Sequence, residues 1–297
     1  MDFVMPTLNG KVAVVTGGGR GVGASIARRL AREGAAVVVA DLGVELDGSG
    51  VDHGPATEVA KEVEASGGTA VAAVRDVVDY DDAGRIIDTA LSRYGGLDIL
   101  VNAAGILRDR MIFNMNTAEW DDVIAVHLRG TFNTTRHASA YWRENPRGAG
   151  YRLINFTSQS GLHGAPGQPN YAAAKMGVLG FTLSCANALK RYGVTSNAVS
   201  PGAETRMVAS VPDERRRNPK GTPERSPDNV APAVAYLASD ASQWLNGHVL
   251  DVRAYQVTLY SNPEPIRQIL SPGPWDPDDL AAAMERCFRP VVDQPAD

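Results

Sequence analysis

The sequence predicts an α/β protein with a single doubly wound parallel sheet and helices on both of its faces. Short apolar, β-branched runs alternate with segments of helical periodicity along most of the chain, which is the pattern of βαβ units. The first run, residues 11–16, leads directly into a glycine-rich turn and a helical segment that ends near Gly34. A second run, Ala36–Ala40, ends at Asp41. No linker interrupts the alternation, so we expect one domain over residues 1–252.

The later elements continue the same alternation of apolar runs and helical patterns. The predicted helices cover residues 56–65, 81–94, 117–144, a segment that carries Tyr171 and ends near residue 192, and residues 227–239. The predicted strands cover residues 69–74, 97–101, 151–157, 194–199 and 248–252. Residues 42–55, rich in Gly and Asp, are predicted to form a surface loop. We expect the proline-rich residues 253–297 to form an irregular C-terminal extension packed on the same domain, with one short helix near residues 278–287.

Composition limits the classes of protein to which the chain can belong. An apolar fraction of 44% and a charged fraction of 21% are typical of an ordinary soluble globular protein. The net charge of −5 argues against a nucleic-acid surface. We expect no membrane segment, because no continuous apolar run reaches the ~18 residues of a spanning helix. Cys185 and Cys287 have neither metal-ligand spacing nor the density of a disulfide framework, so we expect no metal site and a cytoplasmic location.

The glycine-rich turn after the first strand predicts a phosphate-binding loop. Glycines permit a tight turn and close backbone approach, and the following helix offers free N–H groups and the positive end of its dipole. The residues expected to contact a dinucleotide are Gly17, Gly19, Arg20, Gly21, Val22 and Gly23.

The acidic residue that ends the second strand bears on the choice of cofactor. The carboxylate of Asp41 could accept both ribose hydroxyls of an adenosine and would repel the extra phosphate of NADP, which favours NAD. Arg20 leaves NADP open, because a cation inside the loop can attract a 2′-phosphate. A solvated strand end is the alternative interpretation of Asp41.

Tyr171 and Lys175 form a candidate catalytic pair, because a spacing of four residues puts both side chains on one helix face. Ser158 follows an apolar run thirteen positions before the tyrosine. A free tyrosine has a pKa near ~10 and is a poor base, but a nearby ammonium group lowers that pKa. Tyr171 could then act as general acid/base while Ser158 donates a hydrogen bond to the reacting oxygen. The alternative is an ordinary amphipathic helix, since this spacing is common by chance.

Taken together, these motifs resemble those of the short-chain dehydrogenase/reductase family. The matching segments are residues 16–23, 102–105, 171–175 and 197–202, together with Ser158. They occur in the family's order and extend over residues 11 to about 252. The resemblance implies a Rossmann-type fold and a homodimer or homotetramer. It also implies that Lys175 lowers the pKa of Tyr171 and binds the nicotinamide ribose.

The same resemblance implies further cofactor contacts, and the sequence departs from the family's pattern at one position. The contacts are those of Tyr171 and Lys175 and of Asp76, Val77, Asn102, Ala103, Gly105, Pro201, Gly202 and Thr205. His127 stands where the family usually has a catalytic asparagine. A proton relay in the family passes the backbone carbonyl at that position, so the replacement need not abolish it. The alternative is a histidine that is simply packed in the core.

A closer resemblance indicates the substrate class. Residues 41–43 with their extended loop, 105–110 and 127–131 are similar to the hydroxyacyl-CoA dehydrogenase domain of peroxisomal multifunctional enzyme type 2 and its bacterial relatives. That branch implies NAD and the oxidation of a (3R)-hydroxyacyl-CoA, or a related steroid-type secondary alcohol, to the ketone. The similarity becomes weaker after Gly202, in the segments that mainly determine substrate specificity. Two alternatives stay open: an NADPH-dependent 3-ketoacyl reductase, and a cofactor-sensing protein of the same fold without turnover.

Overall fold

A computed structural model of the protein describes residues 7–203 and 222–293, which include an eight-stranded sheet. The strand order is β3-β2-β1-β4-β5-β6-β7-β8; β8 runs antiparallel to β7 and all other neighbours are parallel. The strands are β1 (Val12–Thr16), β2 (Ala36–Ala40), β3 (Thr69–Ala73), β4 (Ile99–Asn102), β5 (Tyr151–Phe156), β6 (Val194–Pro201), β7 (Val249–Arg253) and β8 (Gln256–Tyr260).

The helices up to residue 238 lie on the two faces of this sheet, and two further helices follow residue 260. They are α1 (Gly21–Arg32), α2 (Gly54–Ala65), α3 (Tyr80–Tyr94), α4 (Thr117–Ile124), α5 (Gly130–Glu144), α6 (Gln159–His163), α7 (Pro169–Leu189), α8 (Ala231–Ala238), α9 (Pro277–Cys287) and α10 (Arg289–Val292). Successive strand residues enter different cores: Val15 belongs to the core that contains Ile26 of α1, whereas Val14 belongs to the core that contains Trp142 of α5. This burial on both faces explains the continuous β-branched runs and confirms the doubly wound parallel sheet.

The strand order places the functional edge of the sheet. The order reverses between β1 and β4, where connections leave towards opposite faces and open a crevice at the carboxyl ends of the strands. Thr16 lies beside Asn102, and Asn102 beside Asn155, so three strands end level with one another there. The crevice therefore begins where β1, β4 and β5 end.

The predicted helix over residues 117–144 is interrupted. A π-helical turn, Ala125–Arg129, separates α4 from α5 and contains His127. A π turn accommodates an extra residue without ending the helix, and such turns are frequent at functional sites. Residue periodicity did not reveal it, because apolar positions on both sides keep a helical spacing.

One segment of the described residues, which contains α7, has the length and composition of a helix that could span a membrane. Residues Pro169–Tyr192 are long and apolar enough to do so by length and composition, with a mean hydropathy of 1.2 in the most apolar window. Small Ala and Gly residues produce this value without a continuous run of large apolar side chains. The helix packs against β6 and α6 and carries the buried Lys175, which makes it an element of the globular fold.

The chain forms two compact units, the first ending at Tyr260 and the second beginning at Ser261. The first unit includes β8, although residues from 253 onward were expected to be irregular. A two-residue turn, Ala254–Tyr255, joins β7 to β8, and Ala254 has a φ of 51°. Such hairpin turns usually carry Gly, Asn or Asp, so the sequence lacked the usual signal. In the second unit, α9 confirms the predicted short helix, while the packing of the extension stays a prediction.

Candidate active site

A cavity of about 590 Å³ opens at the carboxyl ends of the parallel strands. It brings together most of the site residues that the sequence predicts. Those that line it are Gly17, Arg20, Gly21, Val22, Gly23, Asp41, Asp76, Val77, Ala103, Gly105, His127, Ser158, Tyr171, Lys175 and Pro201. Gly19, Asn102 and Gly202 are not among the described residues that line it, and Thr205 lies outside the described residues.

The glycine loop is shaped by close backbone packing. Gly17 has a φ of 65°, and a Cβ there would lie 2.7 Å from Cα of Ala104. A Cβ on Gly23 would overlap the carbonyl oxygen of Gly17. Only glycine fits at either position, so the first turn of α1 can approach the end of β1 and present its N–H groups at the cavity. These features fit the pyrophosphate of a dinucleotide.

Gly19 packs against the start of α2 and the end of β2, and its contact with the cofactor stays a prediction. A Cβ there would lie 2.8 Å from Cβ of Pro55 and 2.9 Å from the backbone nitrogen of Ala56. Its own N–H donates to Oδ2 of Asp41 at 2.8 Å. Gly19 therefore lets α2 pack against the loop and orients Asp41.

Asp41 is held rigidly at the end of β2. Besides the bond from Gly19, its Oδ1 accepts the N–H of Gly43 at 2.7 Å. Each carboxylate oxygen has a second lone pair, so the carboxylate can still accept hydrogen bonds from a ligand in the cavity. This arrangement fits the two ribose hydroxyls of an adenosine.

Asn102 belongs to a buried network. Its Nδ2 donates to Oδ1 of Asn155 at 2.9 Å and to Oγ1 of Thr135 at 3.1 Å, and its Oδ1 accepts from Thr134 at 2.7 Å. Asn155 in turn donates to Oγ1 of Thr182 at 2.9 Å. The network ties α5, β4, β5 and α7 together, while the predicted place of Asn102 in the cofactor pocket stays a prediction.

Ser158, Tyr171 and Lys175 converge in the cavity. Ser158 begins α6, where its Oγ accepts the N–H of Ser160 at 3.1 Å. Lys175 donates from Nζ to the carbonyl oxygen of Phe156 at 2.8 Å, and the same Nζ lies 5.6 Å from the centre of the Tyr171 ring. A hydroxyl, a phenol and an amine at one place can bind and exchange a proton with a substrate oxygen.

Burial shifts the pKa values of Tyr171 and Lys175 in opposite directions. Burial raises the pKa of Tyr171 to about 12, while a hydrogen bond from Ser158 acts in the opposite direction and the charge of Asp109 raises the pKa further. Burial lowers the pKa of Lys175 to about 7. Burial penalises the charged forms of both groups. The lowering of the Tyr171 pKa by a protonated Lys175 stays a prediction.

His127 is buried beside the tyrosine. Its Nε2 lies 2.8 Å from the carbonyl oxygen and 3.1 Å from the nitrogen of Ile106, while Nδ1 has no hydrogen-bond partner among the described residues. The ring meets that of Tyr171 edge-on, with centroids 5.0 Å apart. Burial, with the nearby Lys175 charge, lowers the His127 pKa well below its ordinary value, so the ring is neutral at physiological pH.

The backbone around His127 explains how the larger ring fits. A Cβ on Gly105 would overlap Cε1 of the imidazole, so glycine at that position leaves room for it. The carbonyl oxygen of His127 accepts a hydrogen bond from Oγ1 of Thr131 at 2.7 Å. The participation of this carbonyl in a proton relay stays a prediction.

Sequence reasoning missed a polar chain at the cavity. Ser160 donates from Oγ to Oε1 of Gln168 at 2.6 Å, and Gln168 donates from Nε2 to Oδ2 of Asp109 at 2.8 Å. Ser160 and Gln168 line the cavity. Their only sequence signal was their position between Ser158 and Tyr171.

Residues 44–48 of the predicted surface loop also line the cavity. Their Gly and Asp content gave no sign of this. The loop therefore contributes to the wall of the site, in addition to the strand ends that sequence reasoning identified.

The short chain dehydrogenase family model matches residues 11–216 of this chain. The protein therefore belongs to the short-chain dehydrogenase family, as the sequence motifs predicted. It is an oxidoreductase that acts on CH–OH groups, and membership of the family implies NAD(P) as its cofactor.

Among individual proteins, the chain is 45% identical over 291 residues to the hydroxyacyl-CoA dehydrogenase ChsB1 of Mycobacterium tuberculosis, across 95% of this chain and 89% of that protein. It is 37% identical to the peroxisomal multifunctional enzyme type 2 of Drosophila melanogaster, across 85% of this chain and 40% of that protein. A crystal structure of a short chain dehydrogenase from Mycobacterium avium has a TM-score of 0.84 and 42% identity, across 95% of this chain and 96% of that one.

Proposed function

We propose that the protein is an NAD-dependent hydroxyacyl-CoA dehydrogenase that oxidises a secondary alcohol to a ketone. The observation that carries this proposal is the convergence of Ser158, Tyr171 and Lys175 in the cavity that the glycine loop also lines. The similarity to ChsB1 supports a CoA-linked substrate. We propose a (3R)-hydroxyacyl-CoA or a steroid-type alcohol, in line with the resemblance to the peroxisomal enzymes.

Residues of the cavity can hold the cofactor. The N–H groups of α1 would bind the pyrophosphate, Asp41 the adenosine ribose, and Lys175 the nicotinamide ribose. A bound NAD would supply the acceptor for the hydride that leaves the carbinol carbon. NAD is favoured over NADP because the Asp41 carboxylate would repel a 2′-phosphate.

Side chains of the protein position the substrate hydroxyl and transfer its proton. The Ser158 hydroxyl donates a hydrogen bond to the substrate oxygen and fixes its position. The Tyr171 oxygen takes the hydroxyl proton during oxidation and returns it during reduction. Because burial favours the neutral phenol, oxidation should become faster as pH rises and a larger fraction of Tyr171 is deprotonated. Protonated Lys175 favours the phenolate by its charge.

An apolar surface supports the proposal of a homodimer or homotetramer. Only 33% of the most apolar window of α7 is buried, and Met176 on this helix is 45% exposed. Phe132 on α5 is 46% exposed. A Cβ on Gly177 would lie 3.1 Å from Cδ2 of Leu128, so α7 packs closely against the π-helical turn that precedes α5. A second copy pairing on these helices would cover the exposed rings and thioether.

A substrate panel tests the proposed function. The purified protein is given NAD with (3R)- and (3S)-hydroxyacyl-CoAs, hydroxysteroids and simple secondary alcohols, and NADH formation is followed. We expect the highest kcat/KM with a (3R)-hydroxyacyl-CoA or a steroid-type alcohol. Faster reduction of 3-ketoacyl substrates with NADPH would support the reductase alternative instead. NADH binding without oxidation of any alcohol would support a cofactor sensor.

A further inference from the structure

Residues 42–52 form a closed loop, which we call the arch loop. The Asp52 N–H donates to the Leu42 carbonyl at 3.2 Å, so the two ends of the loop meet. Gly43 has a φ of 74°, and a Cβ there would overlap the carbonyl oxygen of Asp52. Inside the loop, the Glu45 N–H donates to the carbonyl oxygen of Ser49 at 2.8 Å. A compact loop of this length with closed ends is an Ω-loop, a class that is frequently functional.

The tip of the arch loop is attached to the segment after β4. The Leu107 N–H donates to the Leu46 carbonyl at 3.0 Å. Gly48 lies against Ile106, since a Cβ on this glycine would be 3.1 Å from Cδ1 of the isoleucine. The loop leaves the end of β2 and reaches residues that follow β4, and β1 lies between those strands. It therefore crosses the end of the cavity that contains Asp41.

Arg20 binds the base of the arch loop. Its Nη1 donates to the carbonyl oxygen of Val44 at 3.0 Å and to that of Gly43 at 3.4 Å. Its Nη2 pairs with Oδ2 of Asp52 at 3.2 Å, and the other carboxylate oxygen of Asp52 accepts the N–H of Gly54 at 2.9 Å. The planar fork of a guanidinium suits several fixed acceptors at once. Arg20 thus joins the phosphate loop, the arch loop and the start of α2.

We propose that Arg20 is a positioning residue that holds the arch loop over the adenosine end of a bound dinucleotide, rather than a receptor for the 2′-phosphate of NADP. This inference rests on the proposed binding of a nucleotide in the cavity. The guanidinium donates to acceptors of the loop, and the Asp52 carboxylate offsets its charge. A 2′-phosphate would have to break these bonds before it could use them. Release of the nucleotide requires the loop to open, so a looser loop shortens the lifetime of the complex.

The test measures the dissociation of the nucleotide and the opening of the loop, and neither measurement depends on enzymatic activity. Stopped-flow displacement gives NADH and NADPH dissociation rates for the wild type and for Arg20→Ala and Arg20→Lys. Hydrogen exchange of the nucleotide-free protein follows the amide of Leu107, which is bonded to the loop. We expect Arg20→Ala to raise the NADH dissociation rate about tenfold or more and to speed exchange at Leu107. Arg20→Lys keeps the charge but loses the fork, so its effect should be intermediate.

Two further variants separate loop positioning from loss of folding. Asp52→Asn keeps the side-chain shape and removes the ion pair with Arg20, and it should speed NADH release in the same direction. Arg28→Ala removes another arginine of α1, whose partner is Glu62 of α2 at 2.6 Å. This matched control should change the NADH dissociation rate by less than about twofold, because exposed ion pairs contribute little.

Three outcomes would overturn the inference. If Arg20→Ala weakens the binding of NADPH more than the binding of NADH, Arg20 is a receptor for the 2′-phosphate. If a folded Arg20→Ala variant binds NADH with unchanged dissociation and exchange rates, the arch loop does not depend on Arg20, and the proposed function stands. If the wild type binds neither dinucleotide, the proposed function and this inference fail together.

Discussion

At the scale of single residues, burial controls the charges of the proposed catalytic groups. Lys175 is 5% exposed, with a pKa lowered to about 7, so its amine is partly neutral at physiological pH. Tyr171, with a pKa raised to about 12, is a neutral phenol. The protein thus keeps a costly amine inside its core, as expected where function conflicts with stability.

Replacing that lysine should stabilise the fold in a pH-dependent way. Unfolded lysine holds its proton up to about pH 10.5, whereas folded Lys175 releases it near 7. The unfolded state binds more protons between these values, so wild-type stability rises with pH across this window and the penalty is complete below it. Lys175→Met should therefore be more stable than the wild type at pH 6, on the order of 2 kcal/mol by urea unfolding.

The advantage of the Met variant should shrink as pH rises from 7 towards 10, while its activity is largely lost at every pH. Lys190→Met, at an exposed position of the same segment, is the matched control and should show neither effect. A stability difference that does not vary with pH would contradict the burial argument.

Asp41 should decide between the two nucleotides. Its carboxylate is fixed by the N–H groups of Gly19 and Gly43. Asp41→Ala should weaken NADH binding and strengthen NADPH binding, shifting the ratio of their Kd values by about tenfold or more. Calorimetric titration measures both, with the exposed Asp81→Ala as control. A wild type that prefers NADPH would refute the assignment of Asp41 and favour the ketoacyl reductase.

At the scale of elements, a network of buried amide and hydroxyl side chains holds α7 on the sheet. Asn155 is fully buried, bonded to Asn102 of β4 and to Thr182 of α7. Asn155→Ala leaves both partners without one of their hydrogen bonds and should destabilise the protein by roughly 2–3 kcal/mol. Urea unfolding measures the loss. Thr182→Val, which removes one partner of the network and keeps its volume, should cost less; equal costs would show that the network is not the cause.

The sequence was most informative where one physical requirement dominated. Buried strands on both faces demand β-branched runs, so the alternation of the sheet and the glycine loop could be predicted. The hairpin to β8 was missed because Ala254 adopts a left-handed conformation without a glycine. Residues 44–48 were predicted to lie on the surface because their place at the cavity depends on contacts between residues far apart in the chain, such as the hydrogen bond from Leu107 to Leu46.

In the candidate site too, features set by local spacing could be predicted from the sequence and features set by the whole fold could not. The positions of Ser158, Tyr171 and Lys175 in one cavity could be predicted from spacing and strand order. Their pKa values could not, because they depend on burial by the whole fold. The packing of Gly19 against α2 and the hydrogen bonds of Asn102 also depend on the whole fold, so spacing along the chain could not reveal them.

At the scale of the whole molecule, the exposed apolar face of α5 and α7 predicts self-association. The double variant Phe132→Glu/Met176→Glu places charges on this face and should reduce the wild-type oligomer to smaller species. Sedimentation velocity at micromolar concentration measures this, with Phe113→Glu, at another exposed apolar position outside these helices, as control. A wild type that sediments as a monomer would contradict the prediction.

The central claim is that Tyr171 transfers the proton in a nucleotide-dependent oxidation. The most direct measurement is the kcat of Tyr171→Phe with NAD and the best substrate of the panel, beside its Kd for NADH. We expect kcat to fall by about 10²–10⁴-fold, since only the acid/base hydroxyl is removed, with NADH affinity within a few-fold of the wild type. Near-normal turnover by a correctly folded Tyr171→Phe enzyme would contradict the claim.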